Sequence, residues 1–287
     1  MAEVTIVEVA PRDGLQNHDR AIETAQKIAF IEALVNAGAR VIEAASFVSP
    51  AAAPMMADAA EVMKGINRKP GVRYLALVPN SRGLERALEA GVDSIALFAA
   101  ATEEFSQANL NASIADAFGR FESVMERART LGLWVRGYVS VAFHCPFSGH
   151  VDTGQALKVI ELIRGLGCDE IALADTTGMA EPHQVTSLVL AALELMPASR
   201  LALHFHDTHG RAIDNIQAGY DLGVRVFDSS AGGIGGCPFS PGAPGNVATE
   251  LVVDHFEDSG VRTGIDADLI RAAYRRNVLD ADPGADR

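Results

Sequence analysis

The sequence predicts an α/β chain folded as a (β/α)8 TIM barrel with a C-terminal helical extension. Three observations predict it. Short apolar runs alternate with longer stretches of helical periodicity from one end of the chain to the other. Eight runs of each kind can be counted, with helices following strands. The apolar runs are nearly continuous, as strands of a parallel sheet covered on both faces must be. A doubly wound open sheet would alternate too, but it needs a phosphate-binding glycine fingerprint after the first strand. Pro11-Arg12-Asp13-Gly14 is not one.

Strands are predicted near 4–9, 41–47, 73–78, 93–99, 134–142, 169–174, 200–206 and 225–229. Each is a short run rich in Val, Ile, Leu or Ala, the pattern of a buried strand. Helices are predicted near 22–37, 55–64, 81–90, 113–131, 153–166, 182–195, 210–222 and 246–257. Gly38, Gly91, Gly132, Gly167 and Gly223 stand at helix ends, where a left-handed stop is expected. One more helix is predicted near 266–278, beyond a barrel spanning about 4–258, and 280–287 reads as frayed. No internal break divides residues 1–287, so a single domain is expected.

Composition narrows the function. The chain has 287 residues, 48% hydrophobic, enough for the large core of one barrel. A formal net charge of −13 argues against a nucleic-acid groove. An acidic protein with an anionic substrate must gather positive groups locally. The three cysteines, Cys145, Cys168 and Cys237, are too sparse for a disulfide framework and suit a reducing compartment. Neither a leader peptide nor a membrane span is legible, so a cytoplasmic location is expected.

The chemistry gathers at the strands' C-terminal ends, where a barrel of this kind builds its active site. Leu203–Ala212 reads as a strand end carrying His204 and His206, then a turn into a helix. Residues two apart on a strand face the same way, so the two imidazoles project together. Alone, such a pair is commonly structural; with a carboxylate it becomes a metal site. Asp13, after the first strand, is either a turn cap or that carboxylate, completing a set for Mg²⁺, Mn²⁺ or Zn²⁺. Arg12 is a surface residue or a stabiliser of a developing oxyanion. Glu43 lies in an apolar strand and needs a partner, for which Arg12 is placed. Asn246 is a helix N-cap or a fourth oxygen ligand. The glycine-rich stretch 232–245 is a plain loop or a lid, and Cys237 within it an inert thiol or an acid–base group. His144 and Cys145 can line the same mouth, although a structural use is the expectation for both. His18 and His209 remain near it, and Cys168, at the opposite face, reads as structural.

The segments VEVAPRDGLQN (7–17), VIEAASFVSP (41–50), HFHDTHGRAIDN (204–215) and DSSAGGIGGCPFSPGAPGNVATE (228–250) carry a family resemblance. So does the segment around 135–146. The chain resembles the 3-hydroxy-3-methylglutaryl-CoA lyases, of the metallolyase barrel superfamily that includes isopropylmalate and homocitrate synthases. The cysteine loop followed by GNVATE is the most specific part. The resemblance implies a divalent metal, Mg²⁺ or Mn²⁺, on Asp13, His204, His206 and Asn246. It implies that Arg12 stabilises the enolate of departing acetyl-CoA, and that Asp13 or His204 takes the hydroxyl proton. Glu43 would orient Arg12 and the cysteine, and Cys237 would reprotonate the enolate. The implied reaction is retro-Claisen cleavage of (S)-3-hydroxy-3-methylglutaryl-CoA to acetoacetate and acetyl-CoA, within leucine catabolism and ketone-body metabolism. A small-molecule acyl-CoA substrate and a homodimer follow by analogy, with no membrane or nucleic-acid partner. His18, Ala51-Ala52-Ala53, Ser106-Gln107-Ala108 and His144 depart from the family pattern in loops that would meet the acyl-CoA. A longer-chain 3-hydroxy-3-alkylglutaryl-CoA is therefore one alternative. A Claisen-type transferase joining acetyl-CoA to a 2-oxo acid is a second, and a non-catalytic acyl-CoA-binding barrel a third.

Overall fold

The computed structural model describes residues 3–236 and 245–280. Eight parallel strands close on themselves in the order β1-β10-β9-β8-β5-β4-β3-β2. They are β1 (Thr5–Glu8), β2 (Val41–Ser46), β3 (Arg73–Leu77), β4 (Ser94–Ala100), β5 (Trp134–Ser140), β8 (Glu170–Asp175), β9 (Leu201–Phe205) and β10 (Val226–Ser229). A small antiparallel hairpin, β6 (His144–Cys145) with β7 (Gly149–His150), follows β5. Closure is made by β1, which pairs in register with β10 (Thr5 beside Val226) and with β2 (Val7 beside Val41).

The outer ring holds α1 (Thr24–Asn36), α2 (Ala59–Gly65), α3 (Ser81–Glu89), α4 (Glu103–Leu110), α5 (Ile114–Leu131), α6 (Thr153–Leu166), α7 (Pro182–Leu193), α8 (Ala212–Asp221) and α9 (Thr249–Asp258). The extension is α10 (Ala267–Tyr274), and it continues into one wider turn over Arg275–Leu279. Local chemistry starts and stops these helices. Asn80, Thr102, Ser113 and Asp152 accept backbone N–H groups at four N-termini. Gly132 ends α5 with φ of +66°, a conformation that costs a side-chain-bearing residue.

The main core lies between strands and helices, built on Phe30, Phe121, Phe205, Phe227 and Phe256. The barrel interior is different. It holds a thin apolar set, including Leu77, Ala96, Ala172 and Ala202. The same interior also buries charged side chains, among them Glu43, Arg136 and Asp228.

Several elements differ from the sequence reading. The stretch 103–110 is a helix, started by the Thr102 cap over only eight residues. The helix expected at 55–64 splits into a 3-10 turn at Pro54–Met56 and α2. The fifth strand stops at Ser140, because Val141 turns to φ of +51° and gives its N–H to the Thr176 hydroxyl at 2.9 Å. The eighth helix begins at Thr249 with Ala248 as N-cap, so the N-cap reading of Asn246 is wrong.

Candidate metal centre and active site

After β1 the chain winds into a single wide turn, Ala10–Gly14, instead of a plain loop. The N–H groups of Arg12, Asp13 and Gly14 all point at the carbonyl of Val9 (3.2, 2.8 and 3.2 Å). Pro11 has no N–H to place there. This turn lifts two adjacent charged side chains over the mouth. Arg12 spreads its two guanidinium arms: one donates to Asp13 Oδ1 at 2.6 Å, the other to Glu43 Oε2 at 2.5 Å. Glu43 is wholly buried in β2, so the partner its burial demanded is the one anticipated. Burial draws the Glu43 carboxyl upward, and Arg12 offsets this only in part. Burial works against the Arg12 charge, but Glu43 and Asp13 outweigh it and hold the guanidinium protonated.

His204 and His206 stand where β9 ends, both buried, their ring centroids 5.3 Å apart. His204 Nδ1 meets Asp228 Oδ2 at 3.1 Å, and Arg136 donates to the other Asp228 oxygen at 2.6 Å. Burial would raise the Asp228 carboxyl, but Arg136 and the His204 bond hold it low. An ionised Asp228 fixes the proton on His204 Nδ1 and leaves Nε2 with a free lone pair. Burial, with the neighbouring His204, lowers His206 to about 4, so at neutral pH it is an uncharged ligand. Asp13 is the reverse. Burial would raise it, yet Arg12 and both imidazoles keep it well below the usual carboxylate range.

Ligand atoms of Asp13, His204 and His206 lie within 4.8 Å of one another, a span one divalent ion can bridge. Asn246 joins them from the stretch after β10. Its Nδ2 donates to Asp13 Oδ2 at 2.8 Å, while its Oδ1 is buried with no hydrogen-bond partner. An orphaned buried oxygen beside a carboxylate and two neutral imidazoles is what a cation would satisfy. The four residues therefore fit a divalent ion. Backbone contact sets this approach: a Cβ on Gly245 would sit 1.8 Å from the Gly235 carbonyl oxygen. A Cβ on Gly235 would strike Asp13 O at 2.7 Å and Asn246 Nδ2 at 2.9 Å.

A cavity of about 200 Å³ opens beside the cluster. Arg12, Asp13, His204 and His206 line one side; Val48, Ala52, Ala53, Leu77, Phe98 and Phe105 give it an apolar wall. Ser140, Thr176 and Asn109 add polar points. Thr176 follows Asp175, whose buried carboxylate accepts the N–H groups of Met179 (3.1 Å) and Ala180 (2.9 Å) and so shapes the turn. Burial, against these bonds, raises Asp175 to about 6. A folded-state pKa above the unfolded one means a stability contribution that is complete below about pH 4 and lost as pH rises through about 6. Denaturant titrations should show that the stability of Asp175→Asn relative to the parent improves by on the order of 2–3 kcal/mol between pH 4 and 7. A constant offset across that range would contradict the assignment.

Cys237 lies outside the described residues; its neighbour Gly236 lines the cavity. Cys145 is buried and receives the Thr102 hydroxyl at 3.2 Å, and neither it nor His144 lines the cavity. Cys168 is buried at the other end of the barrel, and burial pushes its thiol to about 12. The His18 ring lies 3.0 Å from the Arg20 carbonyl and the exposed His209 ring 2.8 Å from Met179 sulfur, and neither belongs to the cluster or lines the cavity. Arg136, Tyr138 and Asp228 were missed. Arg136 donates to the Tyr138 hydroxyl at 3.2 Å, and that hydroxyl lies 3.4 Å from Glu43 Oε2. The sign that exposed Glu43, a charge in an apolar strand, is equally present in VRGYVS and VFDS.

A family model described as HMGL-like matches residues 3–276. A Pseudomonas aeruginosa relative, a 3-hydroxy-3-isohexenylglutaryl-CoA/hydroxymethylglutaryl-CoA lyase, is 47% identical over 96% of this chain and 91% of its own. The crystal structure of the HMG-CoA lyase from Brucella melitensis superposes with a TM-score of 0.92 at 49% identity, covering 95% of this chain and 96% of that one. An HMG-CoA lyase from Acinetobacter baumannii, solved with coenzyme A and 3-methylmalate, gives 0.91 at 40% identity, covering 95% and 89%.

Proposed function

The chain belongs to the HMGL-like family, and from that premise we propose that it is a divalent-metal-dependent carbon–carbon lyase cleaving (S)-3-hydroxy-3-methylglutaryl-CoA to acetoacetate and acetyl-CoA. The observation that carries this reading is one cluster: Asp13, His204 and His206 within ligand distance, with Arg12 braced beside them on Glu43. Asp13, His204, His206 and Asn246 would hold an ion of the Mg²⁺ or Mn²⁺ class, which would supply Lewis acidity toward the substrate's hydroxyl group.

The side chains do the rest. Cleaving the bond beside a thioester leaves an enolate, and Arg12 presents a fixed positive charge to that oxygen. Its arms on Glu43 and Asp13 hold the guanidinium in place before substrate arrives. The tertiary hydroxyl must lose its proton as it becomes a ketone. His204 has only Nε2 to offer, because Nδ1 is tied to Asp228. Were Nε2 a metal ligand, the base would be the Asp13 carboxylate, whose Oδ1 accepts from Arg12 and Oδ2 from Asn246 and which these bonds keep ionised. The carbanion is then quenched by the Cys237 thiol, a role that rests on the resemblance and on Gly236 reaching the cavity.

A second reading has an observation of its own. The apolar wall of Val48, Ala52, Ala53, Leu77, Phe98 and Phe105 offers a 3-alkyl group more room than a methyl needs. A 3-hydroxy-3-alkylglutaryl-CoA with a longer chain is thus the alternative substrate. The enzyme would act as a cytoplasmic homodimer in leucine and ketone-body metabolism. Among the described residues no helix is long and apolar enough to cross a membrane. The test is a panel of 3-hydroxy-3-alkylglutaryl thioesters incubated with Mg²⁺-loaded protein, with products identified by mass. Acetyl-CoA plus a 3-oxo acid is expected, fastest for the chain length the wall fits. Absence of acetyl-CoA from every thioester would overturn the reading.

A further inference from the structure

One buried acid takes no part in this chemistry. Glu8 is fully buried, and no cation pairs with it among the described residues. On β1 it alternates with Val7 and Val9, which face the barrel interior, so it points into the layer between strands and helices. There its two oxygens collect three segments. Oε1 accepts the N–H of Ala10 at 2.9 Å and the N–H of Ala231 at 3.0 Å. Oε2 accepts the hydroxyl of Thr249 at 2.8 Å.

Each partner is a boundary residue. Ala10 opens the turn that carries Arg12 and Asp13. Ala231 opens the stretch leading to Gly235, which touches both Asp13 and Asn246. Thr249 is the first residue of α9, three residues after Asn246, and its own N–H donates to the Ser230 carbonyl at 3.0 Å. Burial raises the Glu8 carboxyl to about 7 against these bonds, so the group is held at a cost that an aliphatic side chain would avoid. What an aliphatic chain cannot do is accept from three backbone segments at one point.

We propose that Glu8 is a positioning residue of the metal site, tying the Asp13 turn and the Asn246 stretch to a common anchor and so setting the spacing of two ligands. The proposal rests on the metal reading above. Glutamine can replace it: the amide oxygen accepts both N–H groups, and the amide N–H donates to Thr249 Oγ1. The Thr249 hydroxyl then turns to Ser229 Oγ, already 2.8 Å away. Leucine can do none of this.

The test is Mn²⁺ affinity of the full-length protein, read from free-ion spin resonance, alongside the melting temperature. Glu8→Leu should weaken Mn²⁺ binding about tenfold or more, and Glu8→Gln should stay within about threefold of the parent. Thr249→Val should weaken binding and Thr249→Ser restore it. A role in stability alone would lower the melting temperature and leave the affinity unchanged, which overturns the proposal. If Glu8→Leu does not fold, an unchanged affinity in Thr249→Val overturns it. A parent protein that takes up no Mn²⁺ removes the metal reading itself, a result distinct from either.

Discussion

Replacing Arg12 by lysine is expected to lower kcat about a thousandfold, with KM changed far less. The charge survives this substitution, so a simple loss of attraction for an anionic substrate is not being tested. What disappears is the two-armed geometry: one nitrogen on Asp13, the other on Glu43. An ammonium is a single point and cannot hold both while facing a developing enolate. Removing one well-placed donor to a transition-state oxyanion costs roughly a hundred- to thousandfold, and Arg12 supplies a charged one. A fall in kcat rather than a rise in KM marks an interaction made mainly in the transition state. Lysine is preferred to a neutral residue because Glu43 stays beside a cation and the fold is spared a buried, unpaired carboxylate. Steady-state kinetics on the thioester substrate would decide. A kcat within tenfold of the parent would mean that Arg12 does not meet the enolate.

Chelation should abolish turnover, and added Mg²⁺ or Mn²⁺ should restore it. His206→Ala should weaken metal binding by at least a hundredfold and lower turnover in proportion at subsaturating metal. His206 is the cleaner target of the two imidazoles. His204 also holds Asp228, and through it Arg136, so its loss would disturb those buried charges as well. Binding to the folded chain alone stabilises it by about 2.7 kcal/mol at a hundred times Kd, so the melting temperature should rise with Mn²⁺ in the parent and not in the variant. Turnover that survives exhaustive chelation would show that the cluster at Asp13, His204 and His206 is not a working metal centre.

The sequence carried much of this arrangement, for definite reasons. Burial writes periodicity, so all eight barrel strands fall within a few residues of expectation. His204 and His206 were legible because strand alternation makes a two-residue spacing meaningful. The Arg12–Glu43 pair was legible because a buried carboxylate among apolar residues requires a partner, and Arg12 lies on the neighbouring strand's end. Asn246 was ambiguous, since asparagine ahead of a helix has a common structural use; the helix start at Thr249 removes that use, and the contact with Asp13 places the residue beside the cluster. Arg136 and Asp228 were available by the Glu43 criterion, but their partners lie 92 residues apart in the chain. Helix α4 escaped because eight residues with mixed polarity show little periodicity. Glu8, in VTIVEV, met the Glu43 criterion too; what the sequence could not show was its partners, two backbone amides and a hydroxyl.

The strand that closes the ring has a consequence for how the protein comes into being. Asp13 follows the first strand, the two imidazoles end the seventh, and Asn246 comes after the eighth. The complete set of four side chains therefore exists only once the last strand has emerged and docked against the first. An ion that needed all four would therefore favour chains whose two ends have met.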